Sequence, residues 1–269
     1  MGTVSGLKIL TRSLFFLFIA FLYAPSFLLP IFSFNDSVIV AFPLRGFTWR
    51  WYSVLWDNSG IWDALWNSIV VATVTSVAST SMAVLAGIGI LSGKLRWAGQ
   101  ISAILITPMA VPSIIVGIGL LLVFLTILGI PLSRATVTIG HMLICIPLAL
   151  LIVIPRIEGF DKSLLDASLD LGRSRLNTFF HVTVPIILPG IVASLLICFV
   201  TSFDEFTIAL LLSAERATLP VYIFGQLRLT SRFPELLALS SCVIAASVII
   251  LIAARRLAGP EAFGLGKGK

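Results

Sequence analysis

The sequence is poor in charge. Asp, Glu, Lys and Arg make up 11% of its 269 residues, where an ordinary soluble domain has about 25%. So few charged groups cannot cover the surface of a soluble enzyme of this length. The 58% of hydrophobic residues likewise excludes intrinsic disorder. Histidine is scarce. His141 and His181 are isolated and lack metal-ligand spacing, so both read as ordinary hydrogen-bonded histidines. There are 3 cysteines, Cys145, Cys198 and Cys242. An odd number inside apolar stretches reads as buried thiols acting as small hydrophobes. A phosphate-binding loop is missing too. Gly93-Lys94-Leu95 has Ile88 where the upstream glycine belongs and no Ser or Thr after the lysine, and the tail Gly264-Leu265-Gly266-Lys267-Gly268-Lys269 fails as well. Any ATP chemistry must come from another chain, and this chain is expected to bind no cofactor of its own. The net charge of +6 sits at the ends of apolar runs, so it reads as an orientation signal and not as a nucleic-acid patch.

What is abundant is apolar length. Mean hydropathy is +1.10. Six long uncharged windows lie between charged residues: 13–35, 64–93, 97–133, 135–155, 176–203 and 236–254. Each can hold a membrane helix of about 20 residues. The third is too long for a straight span, since its length would cover roughly 55 Å at 1.5 Å per residue. Either part of it lies outside the hydrocarbon or the helix breaks. The expectation is an all-α, six-helix polytopic membrane protein in which 1–269 is a single transmembrane domain.

Orientation follows from Lys and Arg. Lys8, Arg12, Lys94, Arg96, Arg156, Lys162, Arg173, Arg175, Arg255, Arg256, Lys267 and Lys269 fall on one side, and Arg45, Arg50, Arg134, Arg216, Arg228 and Arg232 on the other. This bias places both termini in the cytoplasm. Trp49, Trp51, Trp56, Trp62 and Trp66 read as an interfacial belt. Leu22, Ala24 and Pro25 make a poor cleavage site, so the first apolar run is expected to be an uncleaved span.

Inside the spans, Thr73, Ser76, Thr80, Ala83 and Gly87 form a small-residue stripe on one helix face. It suits close packing against a neighbour in this chain or against a second subunit. Pro108 and Pro112, followed by Gly117 and Gly119, predict the break in the third window. Carbonyls freed there must face protein or a water-lined cavity, so Pro108, Pro112 and Ser113 are candidates for a substrate path; the alternative is a structural kink. Asp204 and Glu205 lie in an apolar stretch that runs on to Leu212. If the helix is continuous to Ser213, Asp204 lies roughly 13 Å below the outer end. Intramembrane carboxylates are expensive, which marks the pair as functional. Ser194, Cys198, Thr201 and Glu205 would share its polar face. The alternative is a helix cap or a salt bridge to an arginine such as Arg216.

The longest cytoplasmic connection, 156–183, predicts a short amphipathic helix. Ser163 is the expected N-cap with Asp166 three residues on. Leu164, Ala167, Ser168 and Leu171 share a face, and Gly172 can end the helix in a left-handed turn. Ser174 or Asn177 could cap a second helix, and Pro185 and Pro189 mark the entry to the fifth span. An exposed apolar face of this kind suits a partner's groove; the alternative is a helix lying on the bilayer, which the acidic pair Asp166 and Asp170 disfavours.

Asp166-Ala167-Ser168-Leu169-Asp170-Leu171-Gly172, followed by Val184-Pro185-Ile186-Ile187-Leu188-Pro189, resembles the EAA loop of binding-protein-dependent ABC importer permeases. Asp166 replaces the usual glutamate and Ser168 the second alanine. Ser33-Phe34-Asn35-Asp36-Ser37, Gly46-Phe47-Thr48-Trp49-Arg50-Trp51-Tyr52, Ser202-Phe203-Asp204-Glu205-Phe206 and Thr218-Leu219-Pro220-Val221 resemble the second permease of spermidine/putrescine-type importers. The resemblance spans roughly residues 20–255. Polyamine permeases often carry an acid directly after the second proline of the third span; here it is Ser113, one negative partner fewer for a dication.

The resemblance implies a type I ABC importer permease fold in a bacterial inner membrane. It implies a permease that is not itself an enzyme, with a homologous permease partner, an ATPase dimer holding ATP and Mg, and a periplasmic substrate-binding protein. It implies a small polar, amine-bearing solute, and ATPase coupling through Leu164, Asp166, Ala167, Ser168, Leu171 and Gly172. The rival class is a gradient-driven secondary transporter or channel, which would show internal repeats and several midplane ionisable residues; neither is evident. A membrane scaffold would leave the loop helix and the broken span without a purpose.

Overall fold

The computed structural model describes residues 2–91, 97–159, 161 and 163–258. Lys94, Arg96, Lys162, Lys267 and Lys269, and the two glycine–lysine segments that fail as phosphate loops, lie wholly or partly outside them. Among the described residues the chain is helical; its strand-like pairing is one isolated antiparallel bridge between Asn35 and Phe47. The helices are α1 (Gly2–Ser33), α2 (Arg50–Asp57), α3 (Ser59–Leu91), α4 (Ala98–Ile106), α5 (Ser113–Leu122), α6 (Arg134–Glu158), α7 (Ser163–Asp170), α8 (Arg175–Thr178), α9 (Val184–Asp204), α10 (Thr207–Leu212), α11 (Leu219–Gln226) and α12 (Phe233–Ala258).

Five stretches are long and apolar enough to cross a membrane: Leu10–Ser33, Ser59–Ile90, Arg134–Glu158, Arg175–Asp204 and Thr230–Ile249. The third window, 97–133, is broken as expected. Its halves, Gly99–Ala110 and Ser113–Ile127, meet at 103°. Two prolines make the break. A residue before proline is driven out of the α region, and Val111 is extended at φ −91°, ψ 131°. Thr107–Ala110 tightens into a 3-10 turn in front of it.

The contacts group into two compact units, residues 1–59 with 223–269, and residues 60–222. In the first, α12 packs on α1 and α2. Asn35 organises the loop after α1: its carbonyl accepts from Trp51 Nε1 at 2.8 Å and its Oδ1 accepts from Arg45 N at 2.8 Å. This corrects the belt. Trp49, Trp56, Trp62 and Trp66 are exposed, whereas Trp51 is 6% exposed, because its indole N–H is used internally. Buried Glu235 is held by Arg232 at 3.0 Å and by Asn58.

In the second unit α6 packs against α9 and α10 against α5 and α6. The small-residue stripe of α3 packs within the chain. Thr80 Oγ1 and Ser194 Oγ are 2.9 Å apart, and a Cβ on Gly87 would lie 3.0 Å from Ile157. Thr73 leaves the stripe and is exposed. Cys145 and Cys198 are buried and their thiols point at each other's carbonyls at 3.6 and 3.4 Å. Cys242 is exposed, contrary to expectation. His141 is buried with Nδ1 2.8 Å from Ser202 Oγ, and His181 Nδ1 lies 3.0 Å from the Asn177 carbonyl.

Gly140 of α6 lies directly against α10. A Cβ there would stand 2.6 Å from Ile208 Cγ2 and 2.7 Å from Leu212 Cδ1. Gly140→Ala is therefore expected to lower stability by about 1–3 kcal/mol through overpacking, read as a fall in the melting temperature of the detergent-solubilised protein. Gly119→Ala, where an added Cβ meets nothing within 4 Å, is the matched control.

Candidate functional site

Two candidate regions lie in the second unit. The first is the loop after α6. Its helix α7 starts one step earlier than Ser163 suggests: Asp161 Oδ1 accepts from Ser163 N at 2.9 Å and the Asp161 carbonyl from Leu164 N at 3.2 Å. Asp161, not Ser163, caps the helix. A carboxylate outranks a hydroxyl here because it meets both the free N–H groups and the positive end of the helix dipole. The Ser163 N–H holds the Asp161 carboxyl below its ordinary range. A depressed carboxyl contributes stability above its ordinary pKa of about 3.9 and loses that contribution as pH falls through the lowered value. The amide of Ser163 is thus expected to lose hydrogen-exchange protection on acidification below about pH 4. Asp161→Ala should show that loss already at neutral pH.

The end of α7 is a complete C-terminal turn. Gly172 has φ +81°. Gly172 N donates to the Leu169 carbonyl at 2.9 Å and Arg173 N to the Ser168 carbonyl at 3.2 Å, the paired bonds of a Schellman motif. Ser174 then caps α8, accepting from Asn177 N at 3.3 Å. One expectation is corrected. Ser168 does not share an exposed face with Leu164, Ala167 and Leu171; it is buried, with Oγ 2.9 Å from Thr178 Oγ1. Leu171 (85% exposed), Leu176 and Phe180 stand out from the loop with Leu164, and Asp166, Ala167 and Gly172 are exposed beside them. The sequence carries no local signal for the Ser168–Thr178 bond, which joins two helices across a turn. Asp161 was findable from its place two residues ahead of the first helical residue.

The second region is the end of α9. The helix does not run on to Ser213. It stops at Asp204, Glu205 is extended at φ −70°, ψ 115°, and α10 begins at Thr207. Glu205 causes the restart, since its carboxylate accepts from Thr207 N at 2.9 Å and Ile208 N at 3.0 Å. It therefore caps a helix within the chain and does not extend the face of Ser194, Cys198 and Thr201, nor pair with Arg216. Asp204 is exposed and Thr201 half-buried. At the bend, Pro108 and Ser113 are half-buried and Pro112 is exposed. No hydrogen bond or ion pair among the described residues joins Pro108, Pro112 or Ser113 to Thr201, Asp204 or Glu205. A Cβ on Gly117 would lie 2.6 Å from Leu211, so that glycine serves the close approach of α5 to α10. Among the described residues no group of His, Cys, Asp and Glu could hold a metal.

Comparison with known proteins adds four findings. Residues 79–259 match the family described as binding-protein-dependent transport system inner membrane component. The chain is 31% identical over 237 residues to the putrescine transport system permease protein PotI of Escherichia coli, covering 86% of this chain and 84% of that one. It is 28% identical over 248 residues to the spermidine/putrescine transport system permease protein PotC of Shigella flexneri, covering 92% and 93%. Among solved structures, a chain of a bacterial ABC transporter involved in the import of the acidic polysaccharide alginate shares the fold, with a TM-score of 0.70, 18% identity and coverage of 92% and 93%.

Proposed function

The chain belongs to the family of binding-protein-dependent transport system inner membrane components, and from that premise we propose that it is the transmembrane permease of an ATP-driven importer for a small amine-bearing solute. The permease relatives PotI and PotC support the solute class. It is a multi-pass inner-membrane protein. Its working partners are a homologous permease, an ATPase dimer and a periplasmic binding protein that delivers the solute. ATP and Mg act on the ATPase, and the permease makes and breaks no covalent bond. The Lys and Arg bias supports cytoplasmic termini, with 1–269 acting as one transmembrane domain and 156–183 as its coupling loop.

The observation that carries this reading is the build of that loop. A short helix is capped by Asp161, stopped by Gly172 and tied to the next helix through Ser168 and Thr178, while Leu164 and Leu171 stand in the open. A rigid element with uncovered apolar side chains suits a groove on an ATPase. Leu164, Asp166, Ala167, Leu171 and Gly172 form the contact or set its shape, and Ser168 holds the loop together from inside. Nucleotide-driven movement of the ATPases displaces the loop, and the spans exchange inward- and outward-facing states. The drive is the difference in contact free energy between those states. Solute passes by the bend at Pro108, Pro112 and Ser113 and by Thr201 and Asp204, with Glu205 shaping the break.

Affinity purification of the chain from its own host tests the reading. A nucleotide-hydrolysing subunit should co-purify, and its hydrolysis should rise when loaded binding protein is added. Uptake into vesicles by the chain alone, driven by a gradient, would overturn it.

A further inference from the structure

A recess of about 440 Å³ opens at the end of α6 opposite the coupling loop, and its charged lining has no part in the coupling or path residues above. The floor includes Arg134, the first residue of α6, and Ala64; the rim carries Asp63, Trp66, Glu215 and Arg216. Two cations and two anions thus line one cavity. The salt bridges found among the described residues are Arg50–Asp36 and Arg232–Glu235, so no two of these four charges pair within 4 Å. The Nε of Arg134 is buried without any hydrogen-bond partner. A desolvated guanidinium N–H with no acceptor is costly, and a carboxylate is its natural complement.

The walls are fixed. Asn67 Nδ2 donates to the carbonyls of Arg216 and Ala217 at 2.8 and 3.0 Å, and Leu219 N donates to Ser68 Oγ at 2.8 Å. Thr136 Oγ1 accepts from Ser133 N at 2.8 Å and lies 3.1 Å from the Leu212 carbonyl. The Ser133 bond shapes the start of α6, and the others tie the segment 212–219 to α3 or to Thr136, so the charges are held apart before any ligand arrives. The size falls in the range of about 300–1,000 Å³ typical of small-molecule sites.

We propose that this recess binds a small zwitterion, a solute carrying one carboxylate and one ammonium group. The carboxylate lies on Arg134, where the helix N-terminus adds positive potential. The ammonium lies among Asp63, Glu215 and the ring of Trp66, by charge and by cation–π contact. A dication would leave the buried Nε of Arg134 without an acceptor, and a dianion would leave Asp63 and Glu215 without a cation. A role for the recess in transport rests on the importer reading; the binding itself does not.

Radiolabelled 4-aminobutanoate is the probe, on the full-length chain purified with its partners. Saturable binding is expected, competed at least about tenfold better by unlabelled 4-aminobutanoate than by butyrate, butylamine or putrescine, since each single-charge analogue forfeits one charge-assisted contact. Arg134→Met should weaken 4-aminobutanoate at least about tenfold while sparing butylamine. The rim pair Asp63→Asn with Glu215→Gln, at exposed positions, should weaken 4-aminobutanoate while sparing butyrate, and decides the matter if Arg134→Met does not fold. No saturable binding, stronger competition by putrescine, or unchanged affinity in the rim variant overturns the proposal. Absence of zwitterion binding beside an intact nucleotide-hydrolysing partner defeats the recess alone. Zwitterion binding without such a partner defeats the importer reading alone.

Discussion

Gly172→Val is expected to lower solute uptake and the binding-protein-stimulated part of ATP hydrolysis about tenfold in the reconstituted importer, while Gly172→Asn keeps most of both. The cause is backbone strain alone. A Cβ at Gly172 meets nothing within 4 Å, so no clash arises, but φ is +81°. A β-branched residue pays about 1–2 kcal/mol there, and about 1.4 kcal/mol is a factor of ten. Asparagine tolerates the left-handed region and is the next most common residue at this turn. If valine forces the turn open, the bonds from Gly172 N and Arg173 N are lost and Leu171 no longer points where α7 set it. A Gly172→Val importer stimulated as well as wild type would show that the loop's shape is immaterial to coupling.

Asp204 and Glu205 are adjacent, yet their substitutions are expected to separate cleanly. Glu205→Ala leaves the N–H groups of Thr207 and Ile208 without their acceptor. Loss of a helix cap costs about 0.5–2 kcal/mol, which for a chain of this size shifts the melting temperature by about 1–8 °C. Asp204 is exposed and holds no helix end, so Asp204→Asn should leave the melting temperature within about 1 °C, surface changes being small. Its effect should fall on uptake, as a raised apparent KM for the amine-bearing solute. The measurements are thermal unfolding of the purified protein and initial uptake rates in proteoliposomes. A destabilised Asp204→Asn with normal uptake would reverse the assignment of the two carboxylates.

The large features were legible because they rest on local rules. Charge spacing marks the apolar spans, and two prolines four apart mark the 103° bend. Gly172 announces the end of α7 because only a few residue types accept its backbone angle. What was not legible depends on partners distant in sequence or on competition between caps. Trp51 is spent on the Asn35 carbonyl, and Ser168 turns inward to Thr178; nothing in either neighbourhood announces the partner. The residues to Leu212 stay apolar, so nothing in the hydropathy marks the break after Asp204. Glu205 does cap a helix, but one that starts two residues later. The recess around Arg134 escapes sequence reading altogether, since Asp63, Arg134 and Glu215 meet only through folding.

From Arg175 to Asp204 the chain is one helical run of 30 residues, with a π-helical turn at Phe179–Thr183 and no extended break. At 1.5 Å per residue it is about 45 Å long. A strut of that length magnifies small rotations: tilting it by about 5° about one end swings the other by about 4 Å. A modest twist beside α8 would therefore reappear, enlarged, as a shift of the Asp204 carboxylate across roughly the width of a single ammonium group. The wound turn at 179–183 is the natural pivot, where stiffness could be tuned without touching either end.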